Sequence, residues 1–344
     1  MRLGILVNVI NSSESGQTTY RIAAEAAHRG HEVWITTAGN LTCDMDDRIV
    51  AHARTVPPGK YTSAETFLAT LNSPKAISQW ITIDDMDVLL LRNNPSAQRP
   101  WAQNAGIHFG RIAMRHGVIV LSDPDGLTKA ANKLYLNTYP REIRPRTLIT
   151  RSTDRIVAML KEEKTIILKP LFGYGGKGVF IVHRDDIDNL KQIISSISRD
   201  GFIIAQEYLP AAAEGDTRLF LLNGEPLVHR GQYAAFRRVR TGDDVRSNIH
   251  AGGRIRRAGI NDTVLHLAEV VRPRLVEDGM FLVGLDIAGD KLMEINVFSP
   301  GGLGSAQKFT KVDFTDAVVD AVERKVQYMQ FYRRHFNNAE MCTL

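Results

Sequence analysis

Cysteine is nearly absent: only Cys43 and Cys342 occur in 344 residues, far apart and outside any CxxC pair. That excludes a disulfide framework and a cysteine zinc site, and it points to a reduced, cytoplasmic setting. No apolar run is long enough to span a bilayer, and Met1 to Ile10 runs straight into a strand pattern instead of a signal peptide. There is no internal repeat and no low-complexity tail. Nor does the first strand-to-helix turn carry GxGxxG, so the opening is not a dinucleotide site. What remains is an ordinary soluble composition, 44% hydrophobic and 24% charged, on a chain long enough for two or three domains.

Charge is unevenly placed. Arg237 to Arg257 holds seven arginines against Asp243 and Asp244, which accounts for the whole net charge of +5. A focused basic segment attracts an anionic partner. It has one aromatic, Phe236, at its start, and neither helical periodicity nor a stacking platform, so phosphates or carboxylates in a site suit it better than nucleic acid. A solvated charged loop is the competing reading.

Taken in order, Arg2–Ile10 reads as a strand, Thr18–Arg29 as an amphipathic helix ending at Gly30, and His31–Thr37 as a second strand. Residues 42–80 read as irregular and polar. A buried strand Asp87–Arg92, a helix Gly106–His116 and a strand Val118–Ser122 complete one open α/β layer over residues 1–122. Ligands in such layers gather at strand carboxyl ends, where Arg92 stands; a surface ion pair is the alternative. Asp123-Pro124 starts a helix that continues past Lys133.

Further on, a helix over residues 151–164 leads to the strand Thr165–Lys169. Gly173-Tyr174-Gly175-Gly176-Lys177-Gly178 formally matches GxGxxG, but a strand, Val179–His183, follows it, and no GK[ST] ends it. A glycine turn between strands can fold over polyphosphate with its backbone N–H groups, or be a plain surface hairpin. Lys169 stands just before it. A helix Asp186–Ile197, strands Gly201–Tyr208 and Asp216–Leu222, a hairpin turn at Asn223-Gly224, and a helix Asn261–Glu277 stopping at Gly279 follow. A helix Val312–Phe331 closes the pattern.

The pivotal stretch is VGLDIAGDKLMEINV, 283–297. With Asp286 opposite Glu294 and a three-residue turn, Val283, Leu285, Ile287, Met293, Ile295 and Val297 share a wholly apolar face. Asp286, Glu294 and Asn296 then cluster on the other, with Leu292 beside them. Such a set of oxygens suits a hard cation such as Mg²⁺. The same alternation also suits a half-buried hairpin with a solvated acidic face.

Six stretches, in order, give the chain a family likeness: ANKLY at 131–135, IILKPLFGYGGKGVF at 166–180, AQEYLP at 205–210, GDTRLFLLNGEP at 215–226, NIHAGG at 248–253 and FLVGLDIAGDKLMEINVFSP at 281–300. Together they resemble the ATP-grasp superfamily, and within it the prokaryotic-type glutathione synthetases, over roughly residues 1 to 325. The fold class implied is α/β and α+β, an ATP-grasp fold preceded by an open parallel-sheet, Rossmann-like N-terminal domain. The divisions expected are 1–122, a central subdomain 123–203, a metal-bearing subdomain 204–330, and a tail 331–344.

The resemblance implies an ATP-dependent, ADP-forming ligase that joins a carboxylate to an amine through an acyl phosphate, glutathione from γ-glutamylcysteine and glycine being the leading expectation. A related peptide or amino-acid pair, a kinase on the same scaffold, and a non-catalytic nucleotide- or RNA-binding module are the alternatives. Carried over, Lys133 and Lys169 contact ATP phosphates, and Gly173, Gly175, Gly176 and Gly178 close over them. Gln206, Glu207, Tyr208 and Leu209 border the adenine, while Asp216 approaches the ribose or a metal-linked network. Arg218, Arg238 and Arg246 serve the phosphates and acyl phosphate. Arg92, Asn248, Ser299, Gly301 and Gly302 meet the substrates, and Asp286, Glu294 and Asn296 hold magnesium, or manganese in its place. Small-molecule or short-peptide substrates, no nucleic acid, no membrane and a homo-oligomer complete the expectation.

Two loops depart from the family pattern: LRNNP at 91–95 replaces an arginine-lysine-aspartate-proline run. FSPGGLGSAQKF at 298–309 replaces a serine-proline-threonine followed by an isoleucine-arginine-glutamate run. Both are expected at the acceptor substrate.

Overall fold

A computed structural model describes residues 1–10, 18–173, 178–199, 201–239, 254–332 and 336–344. The first sheet has seven strands: β1 (Arg2–Val7), β2 (Glu32–Thr37), β3 (Leu41–Cys43), β4 (Ile49–Thr55), β5 (Ile77–Thr82), β6 (Val88–Leu91) and β7 (Ile119–Leu121). Its centre, β2-β1-β6-β7, is parallel. β1 and β6 are buried along nearly their whole length, which is why they read as unbroken apolar runs. Helices α1 (Thr18–His28), α2 (Ala64–Leu71) and α3 (Ala105–Arg115) cover it.

Residues 42–80 are not irregular. They form an antiparallel edge, β3-β4-β5, with α2 inserted. β4 alternates Ile49, Ala51, Ala53 and Thr55 inward, but its small side chains make a weak apolar signal. Ser63 caps α2 by accepting from the Thr66 N–H.

α4 (Pro124–Lys129) starts as expected, Asp123 accepting from the N–H groups of Asp125 and Gly126. It stops at Lys129; Lys133 instead opens a separate 3-10 turn, Lys133–Thr138, capped by Asn132. A four-stranded antiparallel sheet follows, ordered β10-β9-β11-β8, from β8 (Thr147–Thr150), β9 (Thr165–Pro170), β10 (Phe180–His183) and β11 (Ile203–Glu207). With α5 (Thr153–Glu163) and α6 (Ile187–Ser198) it encloses a small core of its own, including Ile156, Leu160, Leu168, Val182 and Ile203.

The third sheet centres on β12 (Asp216–Leu222). The Asn223-Gly224 turn, with φ of 54° and 82°, leads back into β13 (Glu225–Pro226). Both positive φ values fit the mirror-image turn that asparagine-glycine favours. A small hairpin of β14 (Val228–His229) and β15 (Gln232–Tyr233) precedes β16 (Ala235–Val239), β17 (Arg254–Arg257), β18 (Leu282–Ala288) and β19 (Lys291–Asn296). The order is β17-β16-β12-β18-β19. α7 (Asp262–Glu277), capped by Asn261, contains Pro273 and ends before Gly279, whose φ is 58°. Its side chains, those of β12 and β18, and those of the first sheet share one continuous core. α8 (Leu303–Thr310) and α9 (Thr315–Tyr332) pack against α1 on the other face. α10 (Asn338–Thr343) is pinned to β7 by Asn338, whose amide bonds both the N–H and the carbonyl of Val120.

Candidate active site

The β18–β19 hairpin sets the site. Asp286 lies opposite Glu294, with Gly284 opposite Asn296. The turn, however, has two residues, Gly289-Asp290, between Ala288 and Lys291, not three. A bulge between Asp286 and Ile287 takes up the extra residue, Met293. A bulge shifts facing parity midway along a hairpin, so one register serves the turn and another the carboxylates. It also moves Leu292 off the polar face: it pairs with Ile287 and is fully buried in the core. Gly289, with φ of 60°, supplies the conformation the first turn position requires.

Across the sheet, charges alternate from strand to strand. Arg218 on β12 sits directly opposite Asp286, and Asp216 directly opposite Arg238 on β16. Arg218 grips Asp286 with Nε and Nη2, both at 2.6 Å. Arg238 bonds Asp216 through Nε at 2.8 Å and pairs with Asp286 at 2.7 Å. All four side chains are buried. The two guanidinium groups hold the Asp286 carboxyl down at about 2, against its burial, and the two carboxylates raise Arg238 in return. Bidentate arginine–carboxylate bonding fixes the geometry tightly. Gly284 leaves room for this: a Cβ there would lie 3.3 Å from Arg218 Cδ.

Opposite this compensated network are two lysines. Lys169 Nζ donates to Gln206 Oε1 at 3.0 Å, and Gln206 Nε2 to Thr147 Oγ1 at 2.9 Å. Burial lowers Lys169 to about 8; Glu294 partly offsets that fall and Lys133 adds to it. Burial lowers Lys133 as well, again with Glu294 opposing. Both lysines therefore feel the same carboxylate. Lys133 Nζ donates to the Gly173 carbonyl at 2.7 Å, tying the 3-10 turn to the start of the glycine loop. Gly173 and Gly178 both take positive φ, 150° and 71°. Gly175, Gly176, Arg246 and Asn248 lie outside the described residues.

Glu207, Tyr208 and Leu209 continue from β11 as a half-buried edge beside Gln206. Thr147, which the sequence reading passed over, belongs with them; its signal is only the register that places it opposite Gln206. Arg92 is buried, bonding Thr19 Oγ1 at 3.1 Å and the Pro300 carbonyl at 3.0 Å, and burial draws it down to about 9. Arg218 Nη1 reaches the Gly301 carbonyl at 3.2 Å, so two arginines clasp the Ser299–Gly302 loop. Gly302, with φ of 110°, must be glycine, since a Cβ would fall 2.6 Å from the Phe236 ring.

No trio of histidine, cysteine or acidic side chains forms a metal cluster among the described residues. The candidate set is two carboxylates and an amide. Glu294 makes no hydrogen bond or ion pair among the described residues, and Asn296 donates Nδ2 to Asp286 at 3.3 Å, leaving its oxygen free to ligate. These hard oxygen donors, with anionic oxygens of a ligand to complete the shell, fit a divalent cation.

Comparison with known proteins matches residues 1–128 to the prokaryotic glutathione synthetase N-terminal domain and 132–311 to the prokaryotic glutathione synthetase ATP-grasp domain. The chain belongs to the prokaryotic glutathione synthetase family. Members of this family are ATP-grasp ligases that form ADP and use ATP with a divalent metal. A glutathione synthetase of Agrobacterium fabrum is 32% identical over 92% of this chain and 94% of its own. One from Vibrio vulnificus is 30% identical over 95% and 98%. In fold, the chain resembles a D-cycloserine synthetase at 13% identity, TM-score 0.58, covering 92% of this chain and 99% of the other. It also resembles D-alanyl-alanine synthetase A from Vibrio cholerae at 12% identity, TM-score 0.57, covering 95% and 98%. No helix among the described residues is long and apolar enough to cross a membrane.

Proposed function

We propose that this chain forms glutathione from γ-glutamylcysteine and glycine, with ATP and Mg²⁺, in the cytoplasm and as a homo-oligomer. The observation carrying this reading is the cross-strand register: Asp286 faces Glu294, and Glu294 acts on both Lys133 and Lys169. The lysines this reading gives to phosphate and the oxygens it gives to metal thus share the influence of one carboxylate. The division at 122, 203 and 330 belongs to the same reading.

In this proposal Lys133, Lys169 and the loop of Gly173, Gly175, Gly176 and Gly178 hold the triphosphate, while Gln206, Glu207, Tyr208 and Leu209 border the base. Asp286, Glu294 and Asn296 would hold the metal, whose charge would offset that of the transferring phosphoryl group. The substrate carboxylate oxygen bonds the γ-phosphorus as the bond to the ADP oxygen breaks, giving an acyl phosphate. The amine then attacks the carbonyl carbon, phosphate leaves with its bonding pair, and the amine's proton passes to solvent or phosphate. Arg218, Arg238 and Arg246 stabilise the developing negative charge, and the geometry of Arg218 and Arg238 is set beforehand by Asp216 and Asp286. Arg92, Asn248, Ser299, Gly301 and Gly302 orient the substrates.

The test is a product assay by mass with γ-glutamylcysteine, glycine, ATP and Mg²⁺. It should give glutathione, ADP and phosphate in equal amounts, with phosphate release requiring both substrates. A stable phosphoryl product without amide would replace the ligase reading with a kinase.

A further inference from the structure

Outside the residues already assigned, a cluster holds a buried donor and a buried acceptor without partners among the described residues. It lies where the first turn of α1 meets α8. Thr18 Oγ1 accepts from the Leu303 N–H at 3.3 Å, and one residue on, the Gly304 backbone faces Arg21. A Cβ on Gly304 would lie 3.4 Å from Arg21 Nη1 and 3.5 Å from its Cζ, so the guanidinium rests against the bare backbone. Gly304 lies within the 298–309 loop, and α1 brings a guanidinium to it.

Arg21 is poorly satisfied there. Among the described residues the carboxylate it pairs with, Asp313, stands at 3.9 Å, and Arg21 Nε is buried without a hydrogen-bond partner. One turn along α8 from Gly304, Gln307 shares that carboxylate, donating Nε2 to Asp313 Oδ2 at 3.3 Å. Its Oε1 is likewise buried and unpartnered among the described residues. A spare donor on a cation and a spare acceptor on an amide thus flank one carboxylate. Buried polar atoms are ordinarily paired, and each exception asks for a cause.

We propose that Arg21, Gln307 and Asp313 form a subsite for a zwitterionic α-amino-acid head group. Arg21 takes the carboxylate, and Gln307 Oε1 with Asp313 takes the ammonium. Gly304 lies in van der Waals contact with Arg21. This deepens the ligase reading and rests on it, since both reactants of that reaction carry a head group, and the test separates the two.

The full chain is titrated calorimetrically with γ-glutamylcysteine, with its analogue amidated at the α-carboxylate, with its analogue lacking the α-amino group, with glycine and with glycinamide. Arg21→Gln should weaken γ-glutamylcysteine about tenfold, the worth of one charge-assisted bond, and leave the α-amide analogue unchanged. Gln307→Leu should weaken γ-glutamylcysteine and spare the analogue without the amino group. Should the loss appear with glycine and not glycinamide, the head group belongs to the acceptor. Equal losses for intact and truncated ligands, or none, overturn the subsite. In turnover the same variants should raise KM with kcat within about twofold, as loss of uniform binding requires. Absence of amide product from the unaltered chain would refute the ligase reading alone, because the binding comparison does not depend on turnover.

Discussion

The two walls of the candidate active site treat charge in opposite ways. On the third sheet, Asp216, Arg238, Asp286 and Arg218 are matched strand by strand, and Asp286 falls to about 2. On the four-stranded sheet, Lys169 has no carboxylate in bonding distance among the described residues and falls to about 8 through burial. The quartet on the first wall is charge-matched before any ligand arrives, and the wall shares a large core with the N-terminal sheet. The second keeps positive charge in reserve and rests on a small core of its own. A cation left short of partners gains most from an incoming phosphate. A cation already paired mainly holds its geometry.

The largest expected effect would break the matched wall. Asp286→Asn leaves Arg218 and Arg238 buried against a neutral amide, which should cost ~3–5 kcal/mol of stability by chemical denaturation and on the order of 100-fold or more in turnover. The sign of its pH dependence follows from the lowered carboxyl. The stability that Asp286 contributes is complete above its ordinary 3.8 and is lost as pH falls towards about 2. Acid titration of the variant should lack that component; an unchanged acid profile would contradict the matched-wall picture.

Lys169→Met probes the other wall and should separate binding from stability. Nucleotide affinity should fall about 10–100-fold, while stability at neutral pH holds or rises, since a poorly compensated buried cation is removed. Parallel loss of both would erase the contrast between the walls. Next comes Glu294→Gln. It should raise the Mg²⁺ concentration for half-maximal turnover about tenfold or more, with near-normal folding. Normal activity at limiting Mg²⁺ would remove Glu294 from the metal set.

The smallest effect is on pH. Because Lys169 in the free chain loses its proton near 8, nucleotide affinity should weaken as pH rises through that value, by up to about tenfold per unit. Its folding contribution runs the other way: the unfolded lysine holds its proton up to 10.5, so stability rises with pH between about 8 and 10.5. Lys169→Arg, which stays charged, should flatten both slopes.

Much of the layout was legible in residues. Continuous apolar runs gave the parallel centre of the first sheet, Asp123-Pro124 and Asn223-Gly224 marked a cap and a turn, and six ordered motifs marked the family. Less legible was β4, whose inward alanines carry little hydrophobic contrast. The end of α4 at Lys129 was also missed, because Ala130 and Ala131 are good helix formers and the Asn132 cap lies three residues past the end.

Sequence alone picked out the side chains proposed for phosphate and metal, because residue type and alternation along a strand are local properties. Only the tertiary structure decided how they are used. A bulge at Met293 reconciles a two-residue turn with facing carboxylates, and the register of three strands sets each arginine against its aspartate. Register is chosen by how whole sheets pack, a sum over distant contacts that no short stretch encodes.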